Sequence, residues 1–369
     1  MAHLTSAPRR SPELPFPLPR QEFWWPGLED VKDISCHAEW IAGRLRPTKP
    51  LPPLRSAHSS PNFLPNHDLP TAIPNFHSSV GTAPGIWNWK FPTTVDSQLM
   101  PRMQIELQPE PYHTLSYLNA GTKREGCRYD DLPFLRGRIR GLPPGTPALV
   151  ATGDLQGRSD FGNDEETLLG VAVADDLPEI HESAGIPDPS DCCGFLIGDL
   201  YTVPNATKRG GTGNVRLVWQ VMSETFGSLA GVAGNHDTFS NPAERGSARP
   251  PRHCLDGSFI DVANWRVGGV SGSIGRPETS ISLKKKAAVD FVRMLGPVLE
   301  QKPDILVLHA SPFVDERHVG SQLISDCLID ADYSGLVLCG HCPWPQRIQM
   351  IGKATVLNVH EAVVTLTVE

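Results

Sequence analysis

Five short stretches, far apart in the chain, carry side chains able to bind a cation: Gly153-Asp154-Leu155-Gln156, Gly198-Asp199, Gly234-Asn235-His236-Asp237, His309 and Gly340-His341. Carboxylate, amide and imidazole groups form a mixed oxygen and nitrogen donor set. Such a set suits Mn, Fe or Zn better than a thiolate site would. An aspartate between two ions can bridge them. Two ions can then each hold an oxygen of one phosphate and ionise a water between them. The imidazole of His236, beside Asn235, can contact phosphate or pass a proton. Singly, each stretch reads as a turn after a strand, with Gly and Asn chosen for their dihedral tolerance. Together they resist that reading, because carboxylates sharing one crevice without a cation would repel each other.

Each stretch follows a short apolar run. Residues 148–152, 195–197, 229–233, 304–308 and 335–339 are predicted strands, bounded by glycine or polar turns. Helical spacing predicts helices over 165–180, 215–226 and 282–300, with Lys284-Lys285-Lys286 on the solvated face of the last. Residues 259–262 and 265–270 read as paired strands around Asn264, and 356–359 and 362–368 as closing strands. This alternation predicts an α/β fold, in which strand ends on one side converge on a crevice. The glycine-rich run 268–275 fits neither GxxxxGK[ST] nor GxGxxG, so it predicts close strand approach rather than a nucleotide cradle. No GxSxG elbow of a serine hydrolase is present.

The 369 residues suffice for one large domain or two ordinary ones. A net charge of −8 argues against general nucleic-acid affinity. No run of 18 apolar residues predicts a membrane span, and the N-terminus lacks the apolar core of a secretory signal. The eight cysteines, Cys192-Cys193 among them, are expected to be buried, reduced thiols of a cytoplasmic protein. Most of the 36 prolines fall in the first 150 residues. Proline at that density removes backbone donors and blocks helices. Residues 1–134 are therefore expected to be a Pro-rich, mostly irregular N-terminal extension, and residues 135–369 the folded domain. Within the extension, 31–44 has the spacing of one short helix. Phe23-Trp24-Trp25-Pro26 and Trp87-Asn88-Trp89 are expected to dock onto a folded surface. His58, His67, His77 and His113 are read as structural or solvated. The oligomeric state is left open.

The order Gly-Asp, Gly-Asp, Gly-Asn-His-Asp, His, Gly-His resembles the calcineurin-like metallophosphoesterase superfamily, over roughly residues 136–369. The resemblance implies a sandwich of two mixed β-sheets flanked by helices. It also implies two divalent metal ions (Mn, Fe or Zn) that activate a water to hydrolyse a phosphate ester, whether monoester or diester. Carried over residue by residue, it assigns Asp154 and Gln156 to the first metal and Asp199 to the bridge. Asn235, His309 and His341 fall to the second metal, and His236 to phosphate contact and leaving-group protonation. His236, Asp237 and Arg158 make up the candidate catalytic set. Arg158 could pair with a phosphate oxygen or equally form a surface salt bridge. Lys208 and Arg209 read either as contacts to a second phosphate or as a solvated loop.

Two departures set the expectations for the first metal. Where the superfamily carries Asp-x-His, this chain has Asp154-Leu155-Gln156, and it resembles in its Gln some superfamily members such as the manganese-dependent ADP-ribose/CDP-alcohol diphosphatases. Where the superfamily carries Gly-His-x-His, this chain has Gly340-His341-Cys342-Pro343. The first site keeps Asp154 and Asp199 and loses up to two imidazoles, so weak binding is expected there. Several readings stay open: loading only with substrate or at high Mn, replacement by His360, or ligation by Cys342, which faces sideways in extended chain. A catalytically weakened protein that binds a phospho-ligand or a protein partner through the cleft is the alternative function. A protein Ser/Thr phosphatase is a second alternative. Against it stand Leu200-Tyr201 after Asp199 in place of Val-Asp-Arg-Gly, and GNHD in place of GNHE.

Overall fold

Apolar runs buried on both faces make up the centre of the fold, and each divides its side chains between two cores. Along β4 (Ala148–Gly153), Leu149 and Ala151 join one cluster while Ala148 and Val150 join another, as the two-residue period of a strand requires. The computed structural model describes residues 103–121, 126–159, 167–208, 210–239, 253–275 and 285–369. Those residues form a sandwich of two mixed β-sheets flanked by helices.

The first sheet contains β1 (Gln104–Leu107), β2 (His113–Ala120), β3 (Cys127–Arg140), β4, β5 (Cys193–Leu196) and β6 (Ser228–Gly231). The second contains β7 (Ser258–Val262), β8 (Trp265–Val270), β9 (Ile305–Leu308), β10 (Leu336–Cys339), β11 (Ile348–Ile351) and β12 (Ala354–Asn358). The closing strand β13 (Ala362–Val368) returns to the first sheet between β3 and β4. From β13 onward the order in that sheet is β4, β5, β6, with both later pairings parallel. In the second sheet β8, β9, β10 and β12 run parallel, with antiparallel β7 and β11 at its edges.

Between the sheets lies a core with Phe195, Ile197, Val232, Trp265, Val307 and Leu338. The Trp265 Nε1 donates to Pro143 O at 2.7 Å, so even this buried indole is satisfied. On the outer face of the first sheet lie α1 (Leu169–Ala184) and α2 (Arg216–Thr225), through Leu169, Leu177, Val218 and Trp219. On the outer face of the second lie α3 (Ala288–Glu300) and α4 (Gln322–Asp330), through Phe291, Leu295, Ile324 and Leu328. The α1 helix ends at Gly185, whose positive φ of 64° closes it in the left-handed conformation.

Three expectations need correcting. The boundary at 134/135 cuts through β3, and β1 and β2 lie before it. Pro133 lies inside β3, opposite Thr114, one residue before the parallel register with β13 begins at Phe134. The helix expected over 282–300 starts only at Ala288. Lys285 and Lys286 instead pair with Ser273 and Ile274 as a two-residue strand, and Lys286 Nζ lies 3.1 Å from Asp256 Oδ1. The aromatic clusters at 23–26 and 87–89, the helix expected over 31–44, and His58, His67 and His77 lie outside the described residues. Among the described residues, no helix is long and apolar enough to cross a membrane.

Candidate metal centre

The backbone at the strand ends is unusual before any side chain is considered. Asp154, Asp199 and His341 all adopt positive φ, at 56°, 54° and 67°. For residues with a Cβ this left-handed region costs of order 1–3 kcal/mol each, and such strain gathers at functional sites. Each is preceded by a glycine, and packing explains why. A Cβ on Gly340 would strike the Asp154 carboxylate, and one on Gly153 would press on Ile197. A Cβ on Gly234, before Asn235, would strike the Asp199 carboxylate and backbone nitrogen. The glycines thus let neighbouring strand ends close on one another until their side chains meet.

Asp199 sits at the meeting point. Its Oδ1 accepts from the backbone N–H of His236 at 2.8 Å. Its Oδ2 accepts from Gln156 Nε2 at 2.9 Å and lies 3.4 Å from His309 Nε2. The carboxylate of Asp199 and the imidazoles of His309 and His341 offer ligand atoms that all lie within 4.8 Å of one another. The His309 and His341 rings are 4.9 Å apart, centroid to centroid. His309 Nδ1 stands 2.8 Å from Ile197 O and donates to it, which leaves Nε2 as the inward nitrogen. That Nε2 faces Asn235 Oδ1 at 3.1 Å and Asp199 Oδ2 at 3.4 Å. A nitrogen lone pair aimed at two oxygen acceptors requires a cation between them, either a proton or a metal ion. The donor set therefore fits a divalent metal.

The electrostatics agree with that demand for positive charge. Burial disfavours the Asp199 carboxylate, yet His309 above all outweighs it and holds its pKa well below the usual carboxylate range. Burial likewise opposes a charged His309, but Asp199 and then Asp154 push its pKa up to about 9. His341 is half-buried. Burial and the adjacent His309 drive its pKa down to about 3, so it presents a neutral imidazole. Asp154 is held below the usual range despite burial, chiefly because of His360.

The other sequence candidates divide. His236 stands at the rim, its Nε2 4.0 Å from Asp199 Oδ2, and Gly210 packs against its ring. Gln156 turns its amide nitrogen toward Asp199; flipping the amide would bring its oxygen there instead. Asp237, expected to be catalytic, is fully buried behind the site. Its carboxylate accepts the backbone N–H groups of Asp199, Leu200 and Gly234, each at 2.8 Å. Those three bonds tie the segment around Asp199 to the segment around Gly234. The Arg158 guanidinium donates to Thr202 O at 2.9 Å and Val203 O at 3.3 Å, bracing the loop after Asp199. Lys208 is exposed. Pro343 is exposed, and Cys342 is buried.

His360, one of the replacement ligands left open from the sequence, lies beyond the last motif, two residues past a strand end at Leu357-Asn358-Val359-His360. Cys339-Gly340-His341-Cys342 has Cys-x-x-Cys spacing. Both thiols are buried, and no disulfide joins the described cysteines. Cys127 is exposed rather than buried as expected.

No protein-family model matches the sequence, and no curated protein matches it. Among solved structures, the chain is similar to TT1561 of Thermus thermophilus, with a TM-score of 0.40 and 20% identity over 57% of this chain and 88% of that one. It is also similar to a single mutant of Vps29 from Entamoeba histolytica. There the TM-score is 0.24 and the identity 11%, over 57% of this chain and 72% of that one. Likenesses this distant do not say what the chain does.

Proposed function

We propose that the chain is a metal-dependent hydrolase of phosphate esters. The observation that carries this reading is the convergence of Asp199 Oδ2, Asn235 Oδ1 and His309 Nε2 from three separate strand ends. Asp199, Asn235, His309 and His341 would hold the better-formed metal, and Asp154 and Asp199 would contribute to a second. Bound there, the ions would supply Lewis acidity toward a phosphoryl oxygen and a hydroxide nucleophile at neutral pH. The chain's own work is to hold these donors rigidly and to place His236 at the rim. From there the imidazole can protonate the departing ester oxygen. Arg158 and Asp237 keep the loops in register without touching the reacting atoms.

The test is hydrolysis of p-nitrophenyl phosphate and bis(p-nitrophenyl) phosphate by the full chain, with and without Mn(II). Metal-dependent turnover of either ester, lost in Asn235→Ala, is expected. Turnover of neither at saturating Mn(II) overturns the reading. A second reading draws on Gln156, which donates to Asp199, and on Pro343, which has no donor atom. Under it, the cleft binds a phosphorylated ligand without cleaving it. One tightly held ion, saturable binding of inorganic phosphate and no hydrolysis would favour that alternative.

A further inference from the structure

The first-metal side of the centre lacks imidazoles at positions 156 and 343, and the fold delivers another. Gly153 and His360 form a parallel β-bridge, so the residue preceding Asp154 and His360 lie side by side. His360 Nδ1 lies 3.1 Å from Asp154 Oδ2. The approach is not aligned as a hydrogen bond, and Nδ1 is buried with no hydrogen-bond partner. On its other side, His360 Nε2 lies 3.7 Å from Glu361 Oε1. A carboxylate behind an imidazole whose inner nitrogen faces a ligand is the arrangement that surrounds metal-bound histidine.

The ring is placed by the backbone. Arg347 donates to the carbonyls of Asn358 at 3.2 Å and His360 at 2.9 Å. The Asn358 side chain accepts from the His360 N–H at 2.9 Å and donates to Cys342 O at 2.9 Å. This buried amide ties the His360 segment to the loop carrying His341. The imidazole therefore reaches Asp154 from a fixed base.

We infer that His360 is a ligand of the first metal, together with Asp154 and the shared Asp199, in place of the imidazoles missing at 156 and 343. The inference rests on the hydrolase reading for the existence of a first ion. It goes further by naming a ligand from outside the motif set. The competing role for His360 is a permanent imidazolium paired with Asp154 in a site that holds no metal.

The experiment is Mn(II) titration of the full-length, chelator-stripped protein. Bound ions are counted by elemental analysis, and electron paramagnetic resonance reports whether two bound ions are coupled. Wild type is expected to bind two ions with a coupled signal. His360→Ala is expected to retain one, with an uncoupled signal. His360→Asn, closer in size, guards against misfolding and is expected to weaken the first ion at least tenfold, with a cooperative unfolding transition retained in the metal-free protein. Two ions at wild-type affinity in His360→Ala overturn the inference. So does a wild type that binds one ion and is indifferent to the substitution. Hydrolysis of bis(p-nitrophenyl) phosphate by the same samples separates the two claims. A wild type that holds two coupled ions without turnover refutes the hydrolase reading and leaves the ligand assignment standing.

Discussion

Replacing Asp237 by alanine separates a positioning role from a catalytic one. The carboxylate accepts three backbone N–H groups, from Asp199, Leu200 and Gly234, at 2.8 Å each. All three donors are left without that partner in the variant. An unsatisfied buried donor costs about 1–3 kcal/mol, so the gross loss is about 3–9 kcal/mol. Two effects reduce it. A water in the space vacated by the side chain can restore one or two of the bonds. Removal of the carboxylate also relieves its own burial beside Asp199, the cause that pushes its pKa up to about 7. A net destabilisation of about 2–4 kcal/mol is expected, measured by urea unfolding of metal-stripped protein followed by circular dichroism. Because two of the donors flank Asp199 and Asn235, Mn(II) affinity should fall together with stability. A variant as stable as wild type to within about 0.5 kcal/mol, holding metal normally but without turnover, would refute the reasoning. It would put Asp237 in contact with the reacting atoms.

Three further outcomes follow from the same geometry. Asn235→Ala removes an oxygen that faces His309 Nε2 at 3.1 Å; calorimetric titration should show Mn(II) affinity lowered at least tenfold with the unfolding midpoint of the metal-free protein unchanged. Gly340→Ala drives a Cβ into the Asp154 carboxylate, which is itself fixed by the His341 N–H at 2.8 Å. It should cost about 1–3 kcal/mol by overpacking and weaken the first ion more than the second, read by urea unfolding and metal counting. His181, remote from the metal centre and fully buried, has its pKa lowered by burial, against a hydrogen bond to Pro187 O at 2.7 Å. The unfolded chain then takes up a proton that the folded chain does not, so stability falls as pH drops below about 6.5. The loss between pH 7 and pH 5 should be smaller in His181→Gln, measured by urea midpoints across that range.

Legibility in the sequence followed burial. Strands buried on both faces, such as Ala148–Gly153 and Leu336–Cys339, announce themselves as apolar runs, and the glycine after or within each marks the turn. The ligand stretches at those turns were therefore visible as a set. By contrast, β3 carries Arg128, Asp130, Asp131 and Pro133, and its pairing with β1, β2 and β13 makes it a strand. Its alternation of exposed and buried residues was hidden in a proline-rich context. Asp237 is placed in the candidate catalytic set beside His236, and nothing in the sequence shows that its carboxylate turns onto three backbone N–H groups. His360 stood apart for a related reason. Its nearness to Asp154 arises from a β-bridge to Gly153, more than 200 residues away in the chain.

The central claim is that Asp199, Asn235, His309 and His341 share one cation. Anomalous diffraction at the manganese edge, from crystals of the full chain grown with Mn(II), tests it most directly. The account predicts a peak bonded to Asp199 Oδ2, Asn235 Oδ1 and His309 Nε2, with His341 completing the set. Ordered side chains with no anomalous peak among them, at saturating Mn(II), would contradict it.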